Sequence, residues 1–322
     1  MALEDAKNEV DGAFTRPDAR GLSFENAFGG ATSFLRRRYS KDVTGADLAV
    51  LGVPFDQAVT HRPGARFGPR AIREASTLQP YDPPYGWPFD PLGEMAVVDT
   101  GDLAFDYARV PDFPAALTAR VADILGHGVG TLALGGDHSI TLPILRAYAA
   151  HHGPLGLIHF DAHSDLWPDD DPQRIDHGTF LYKAVREGLI DTERSVQIGI
   201  RTVVESHMSL TVIDARAVHE KGPDKVVWEA GLILGDGPCY LTFDIDALDP
   251  AFAPGTGTPV WGGLHAWQAA AILRGLAGVN VVGGDVVEVS PPYDPTGATA
   301  IAGAHVATEI MCLYGWTRLG KG

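Results

Sequence analysis

The amino-acid sequence predicts an α/β fold in which parallel strands are covered by helices on both faces. Two observations carry that expectation. Short apolar runs rich in β-branched residues recur along the chain, several closing in glycine or an acid, and stretches long enough for helices separate many of them. Strand-like runs occupy 46–53, 95–98, 131–134, 155–160, 196–200, 210–213, 240–243 and 281–282, with 286–289 close behind the last. Helix-like stretches fill 113–126, 141–151, 180–188 and 266–276. Residues 1–44 are polar and aperiodic and are expected to form an N-terminal arm, whereas 45–322 contain no repeat and no linker, which predicts one domain. The segment YDPPYGWPFDP at 81–91 is Pro-rich like a linker, but its aromatic residues predict a surface loop that packs.

A chain of 322 residues with 45% hydrophobic and 20% charged residues can bury a large core. Its 41 acids outnumber 25 bases, giving a formal charge of -16. That balance argues against nucleic acid or an anionic membrane surface as a partner and permits a cationic small molecule. Two bound divalent ions would offset roughly four of the negative charges; a solvated acidic surface explains most of them. Cys239 and Cys312 lie in the apolar segments PCYLTF and EIMCLYGW and are expected to be buried free thiols. The N-terminus lacks the apolar stretch of a signal peptide and no later run is long enough to span a bilayer, so a reducing cytoplasm is the expected compartment.

In an open parallel sheet, ligands collect at the carboxyl ends of the strands, so the residues directly after each run carry the functional signal. After 131–134 come Gly135, Gly136, Asp137 and His138, where paired glycines permit a tight turn that delivers His138 to the edge. On its own such a histidine is commonly a hydrogen-bonded structural residue. After 155–160 come Asp161, Ala162, His163, Ser164 and Asp165, and an extended backbone would put the three ligand-type side chains on one side. A polar loop with accidental spacing is the plainer alternative. Residues 240–243 lead into Asp244, Ile245 and Asp246, with Asp249 close behind. Carboxylates pointing the same way repel each other, and a cation between them relieves the repulsion. Two imidazoles and four carboxylates exceed the needs of one ion and suit two, roughly 3.5 to 4 Å apart and sharing a water. With oxygen donors dominant and no cysteine among them, manganese is favoured over a structural zinc, and nickel, cobalt or zinc are alternatives. Glu288, in GGDVVEVSPP, is expected inside an apolar strand, where its carboxylate needs a cation, either a structural arginine or part of a ligand. Asp285 is expected to support its neighbours or bond to backbone.

GGDHS at 135–139, DAHSD at 161–165 and FDIDALDPAFAPGTGTPVWGG at 243–263 resemble the three signatures of the ureohydrolases, the arginase and agmatinase family, and the resemblance runs from about residue 46 to 316. It implies a three-layer αβα sandwich around a mainly parallel, roughly eight-stranded sheet. It also implies two Mn2+ ions per subunit, one held by His138, Asp161, Asp165 and Asp244, the other by Asp161, His163, Asp244 and Asp246. By the same resemblance Glu288 binds a substrate guanidinium, in a forked geometry open to any carboxylate, and Thr258, in PGTGTP, lies beside it. His177, which opens HGTF, shuttles protons. Without the resemblance, His177 is an ordinary loop histidine and Thr258 part of a turn. The implied reaction is attack of a metal-activated water, held by Asp165, on the guanidinium carbon. Glu288 stabilises the intermediate, and Asp165 or His177 protonates the leaving nitrogen to release urea and an amine.

Within the family, 176–191, 195–202 and 240–246 are most similar to bacterial agmatinases, which implies hydrolysis of agmatine, a small cationic guanidino substrate, to putrescine and urea. Arginine, 4-guanidinobutyrate, 3-guanidinopropionate and guanidine are alternative substrates, and a catalytically silent metal-binding subunit is a remote alternative. The successive acids Asp169, Asp170 and Asp171 would favour an ammonium tail, or form only a solvated turn. Arg174 favours a carboxylate tail instead, and Leu166 stands where agmatinases commonly carry threonine. The resemblance further implies a homo-oligomer, trimer or hexamer, in which the arm could reach a neighbour.

Overall fold

The computed structural model describes residues 27–79 and 84–321; residues 1–26 of the expected arm and 81–83 of the aromatic loop lie outside the described residues. Its strands are β1 (Arg38–Tyr39), β2 (Leu48–Val53), β3 (Val97–Asp102), β4 (Gly130–Gly135), β5 (Leu155–Phe160), β6 (Ile190–Ile198), β7 (Thr211–Ile213), β8 (Cys239–Asp244) and β9 (Val281–Val287). They form a nine-stranded sheet in the order β1-β3-β2-β4-β9-β8-β5-β6-β7, and every neighbouring pair is parallel. The helices are α1 (Gly68–Ser76), α2 (Pro91–Glu94), α3 (Phe113–Gly126), α4 (Thr141–His152), α5 (Phe180–Arg186), α6 (Ala215–Lys221), α7 (Pro223–Leu234), α8 (Ala266–Gly275) and α9 (Ala298–Arg318).

Burial on both faces explains why the strands read as continuous apolar runs rather than alternating ones. Alternate residues of β2 enter different cores: Leu48 and Val50 pack on one side of the sheet, Ala49, Leu51 and Val53 on the other. The first core is closed by α1, α7, α8 and α9 through Ile72, Ala230, Ile272 and Ile310. The second is closed by α3, α4 and α5 through Leu117, Leu145 and Leu181. The result is the three-layer sandwich expected.

β3 and β6 are shifted or lengthened relative to the runs read at 95–98 and 196–200, and two other strands differ in kind from the expectation. β1 lies in the segment read as an arm, where Phe34 and Leu35 are buried and the Phe34 N–H donates to Asp99 Oδ2 at 2.7 Å. A two-residue strand has no periodicity to read, so the sheet gains a ninth member. β9 is one strand rather than two runs, because Gly283 and Gly284 interrupt the apolar pattern while the backbone stays extended. A Cβ at Gly283 would sit 2.0 Å from the Tyr148 hydroxyl, and one at Gly284 2.6 Å from the Leu241 carbonyl, so close packing demands glycine at both.

Elsewhere the expectations on packing are met. In the aromatic loop Trp87 and Phe89 are buried, and the Trp87 indole N–H donates to Glu309 at 2.6 Å. Cys239 and Cys312 are buried free thiols. Among the described residues no helix is long and apolar enough to cross a membrane. From β4 the chain crosses to β5 and leaves two positions that β8 and β9 later fill, which makes β4-β9-β8-β5 a switch point. The carboxyl ends of these four strands open onto one crevice.

Candidate metal centre

Three of the four central strands, β4, β5 and β8, deliver metal donors into that crevice, and β9 brings Glu288. After β4, Gly136 passes so close to Phe55 that a Cβ would lie 1.9 Å from its carbonyl oxygen. Asp137 then caps the following turn, accepting from Ser139 N–H at 3.1 Å and Ala58 N–H at 2.9 Å, and His138 projects inward. After β5, the Asp161 Oδ1 accepts from the His163 N–H at 2.6 Å. The segment is not extended throughout, as the sequence suggested: Asp165 has φ 52, a left-handed turn that folds its carboxylate back onto His138. At the end of β8, Asp244 accepts from the Asp246 N–H at 2.8 Å, and Asp246 from the Ala162 N–H at 3.1 Å, which ties β8 to β5.

All six residues converge. His138 Nδ1 lies 3.0 Å from Asp161 Oδ2 and 3.2 Å from both Asp165 Oδ2 and Asp244 Oδ2. His163 Nδ1 lies 3.1 Å from Asp246 Oδ2 and 3.4 Å from Asp161 Oδ1. Asp161 therefore belongs to both clusters: donor atoms of His138, His159, Asp161 and Asp165 lie close enough together for one metal ion, and those of Asp161, His163 and Asp246 for another, with Asp244 reaching the first through His138. The His138 ring is oriented from behind: its Nε2 is 2.8 Å from Thr242 Oγ1, whose hydroxyl donates to Asp285. Asp285 also accepts from Thr141 at 3.0 Å and Tyr240 at 2.9 Å, the supporting role expected of it.

The electrostatics describe a site built around cations. Burial and the charges of Asp246 and Asp161 push Asp244 well above the ordinary carboxylate range, and burial with the Asp161 charge raises Asp165. Burial also opposes ionisation of Asp161, but the imidazoles of His138, His159 and His163 gathered around it outweigh burial and hold that carboxyl well below the range. His138 Nδ1, fully buried among three carboxylates, has no hydrogen-bond partner. An unpartnered imidazole nitrogen facing crowded carboxylates is what a metal-donor set looks like without its ion, so the residues fit a divalent pair.

Glu288 lies one residue beyond β9 rather than inside a strand, and it is also left-handed, with φ 64. Among the described residues no arginine pairs with it. Its Oε1 accepts from the His138 N–H at 3.0 Å and lies 2.9 Å from His177 Nδ1; its Oε2 is buried and has no partner. A Cβ at Gly257 would stand 3.3 Å from that oxygen, so glycine there leaves it unobstructed. His177 Nε2 meets the Thr60 N–H at 3.2 Å and Thr60 Oγ1 at 3.0 Å. Burial opposes the charge on His177, but Glu288 prevails and raises its pKa to about 9. The Thr258 hydroxyl donates to Asp246 at 3.3 Å.

A cavity of about 390 Å³ is lined by Thr60, His163, Asp165, His177, Asp244 and Thr258, with Trp167, Arg174 and Asp176 at its margin; Glu288 is not among the lining and stands behind His177, to which it is bonded. Asp169, Asp170 and Asp171 are not among its lining. Asp169 pairs with Lys183 at 2.8 Å, Asp170 accepts from the Tyr182 hydroxyl at 3.1 Å, and Asp171 from the Gln173 N–H at 2.9 Å. Arg174 is bound to Asp176 at 2.6 Å. The acidic run is thus a loop brace, and the hint it gave towards an ammonium tail falls away.

Sequence reasoning missed His159, Gln197 and Thr60. His159 had a visible signal, an imidazole within an apolar strand two residues before Asp161 and so on the same side of it. Gln197 and Thr60 had none, since only the tertiary structure brings them to the site.

A parallel αβα sandwich with overlapping imidazole and carboxylate sets at its switch point defines a dinuclear metallohydrolase of the α/β class. Residues 46–313 match the arginase family. The chain is 51% identical over 304 residues to an agmatinase of Chromobacterium violaceum, covering 94% of each protein. The crystal structure of a hypothetical agmatinase from Burkholderia thailandensis superposes with a TM-score of 0.93 at 51% identity, over 97% of this chain and 98% of that one. Proclavaminate amidino hydrolase from Streptomyces clavuligerus gives 0.87 at 35% identity, over 91% and 100%. The chain belongs to the arginase family.

Proposed function

We propose that the protein is an agmatinase that hydrolyses agmatine to putrescine and urea with two Mn2+ ions. His138, Asp161, Asp165 and Asp244 would hold one ion, and Asp161, His163, Asp244 and Asp246 the other. Bound there, the pair supplies an acidified water as nucleophile and positive charge for the developing negative charge. Asp165 orients that nucleophile. The buried, unpartnered Oε2 of Glu288 is the observation that carries the reading, because a carboxylate lone pair left unsatisfied in a buried position calls for a cationic donor such as a guanidinium N–H. Thr258 flanks the guanidinium. His177, bonded to Glu288, holds a proton beside the leaving nitrogen and returns one with each turnover. The high identity to agmatinases supports agmatine in particular.

One observation favours a second reading. Arg174 stands at the cavity margin and would suit a carboxylate tail such as that of 4-guanidinobutyrate. We further infer that 45–322 act as one catalytic domain with 1–44 as an arm whose last part joins its sheet through β1, in a cytoplasmic homo-oligomer, trimer or hexamer.

Urea release by manganese-loaded protein tests these readings together. Agmatine is expected to exceed arginine, 4-guanidinobutyrate, 3-guanidinopropionate and guanidine in kcat/KM. A preference for 4-guanidinobutyrate would establish the second reading, and no urea from any substrate would mark a silent subunit.

A further inference from the structure

We infer that His159, held in place by Gln197, is a positioning residue that donates a hydrogen bond to Asp161 and so aims the carboxylate common to both donor sets. This inference rests on the metal-holding reading of the site and adds an outer layer to it. His159 lies on β5, is fully buried, and places Nε2 2.8 Å from Asp161 Oδ2. Its other ring nitrogen, Nδ1, lies 2.9 Å from the side-chain amide nitrogen of Gln197, the residue directly opposite on β6.

Proton placement follows from a third contact. The same Gln197 amide nitrogen donates to the Ser164 carbonyl at 2.9 Å, and a carbonyl can only accept, so the NH2 end of the amide faces this corner. Its second hydrogen meets His159 Nδ1, which must therefore accept. The ring proton is left on Nε2, pointing at Asp161. His138 Nδ1 has no hydrogen-bond partner, as a metal donor should, whereas both nitrogens of His159 are engaged. A metal at His159 Nε2 would have to displace the bond to Asp161. The geometry thus separates two buried histidines that composition alone would rank equally as ligands.

Oδ2 accepts from His159 and Oδ1 from the His163 N–H, so each Asp161 oxygen keeps one lone pair for metal, and the two bonds together prevent the carboxylate from turning. His159 itself stands edge-on against a pair of rings that touch each other at 4.3 Å, His138, 5.2 Å away between ring centres, and Phe180, at 5.8 Å. Because Gln197 also secures the Ser164 carbonyl, one side chain steadies both Asp161 and the left-handed turn that presents Asp165.

Manganese titration of the full chain, stripped with chelator and followed by calorimetry, provides the test. His159→Gln keeps an N–H where Nε2 stood; His159→Phe fills the volume without a donor. The Phe variant is expected to lose on the order of 10- to 100-fold in Mn2+ affinity, and the Gln variant less than about tenfold. Wild-type affinity in His159→Phe, or an equal loss in both variants, would overturn the assignment, as would pulsed EPR showing the His159 nitrogen bound to manganese. Should His159→Phe not fold, Gln197→Leu, which leaves both rings in place, is expected to weaken Mn2+ binding, and an unchanged affinity there refutes the relay. These readouts need no substrate. Normal manganese binding without urea release would therefore sink the proposed reaction while leaving this inference standing.

Discussion

Burial, a left-handed backbone and an oxygen without a partner meet in Glu288, and such a combination is costly unless a ligand uses it. Glu288→Ala is expected to lower urea release about a hundredfold or more, with two manganese ions retained by elemental analysis. Near-normal turnover would refute the guanidinium assignment. Its neighbour His177 offers a titration. The Thr60 N–H favours a singly protonated ring, but the carboxylate charge is the stronger influence and raises the pKa from 6.5 to about 9. Because the folded value lies above the unfolded one, the charged pair contributes its full stability below about 6.5 and loses it as pH climbs through about 9. NMR of the metal-free protein is expected to place the imidazole midpoint near 9 and to find it lower in Glu288→Gln; a midpoint that stays put would show that Glu288 is not the cause.

At the scale of elements, most of the sandwich was legible because parallel strands buried on both faces leave dense apolar runs. β5 kept the bounds read from sequence, and α3 did as well. Elements whose signal is short or interrupted were not legible: β1 spans two residues, and β9 is broken in pattern by Gly283 and Gly284. The same holds for the site. Residues 138, 161, 163, 165, 244 and 246 announce themselves by position after strands, whereas the left-handed turns at Asp165 and Glu288 and the contacts of Gln197 and Thr60 arise only from tertiary closure. Gly136 joins the two levels, since its missing side chain lets β4 turn under Phe55 and present His138. Gly136→Ala is expected to cost about 3 kcal/mol by urea denaturation and to weaken metal retention. A variant with the wild-type midpoint and metal content would show that the turn tolerates a methyl group.

For the whole molecule, metal and fold are coupled through the crowding of carboxylates at the centre of a chain of formal charge -16. Two sites, each filled at a hundred times its Kd, would contribute about 5 kcal/mol together. Chelation is accordingly expected to lower Tm on the order of 10 °C in a calorimetric scan, with recovery on adding manganese; an unchanged Tm would mean that the metal-free fold bears its buried carboxylates without penalty. The metal donors emerge at or just beyond the ends of β4, β8 and β5, with β9 bringing Glu288 between the first two, so the floor of the cavity inherits the stiffness of the sheet. Trp167, Arg174 and Asp176 at its margin belong to the connection between β5 and α5. Substitutions confined to that stretch would change which tail the cavity admits while leaving the donors on the strands beneath it in place.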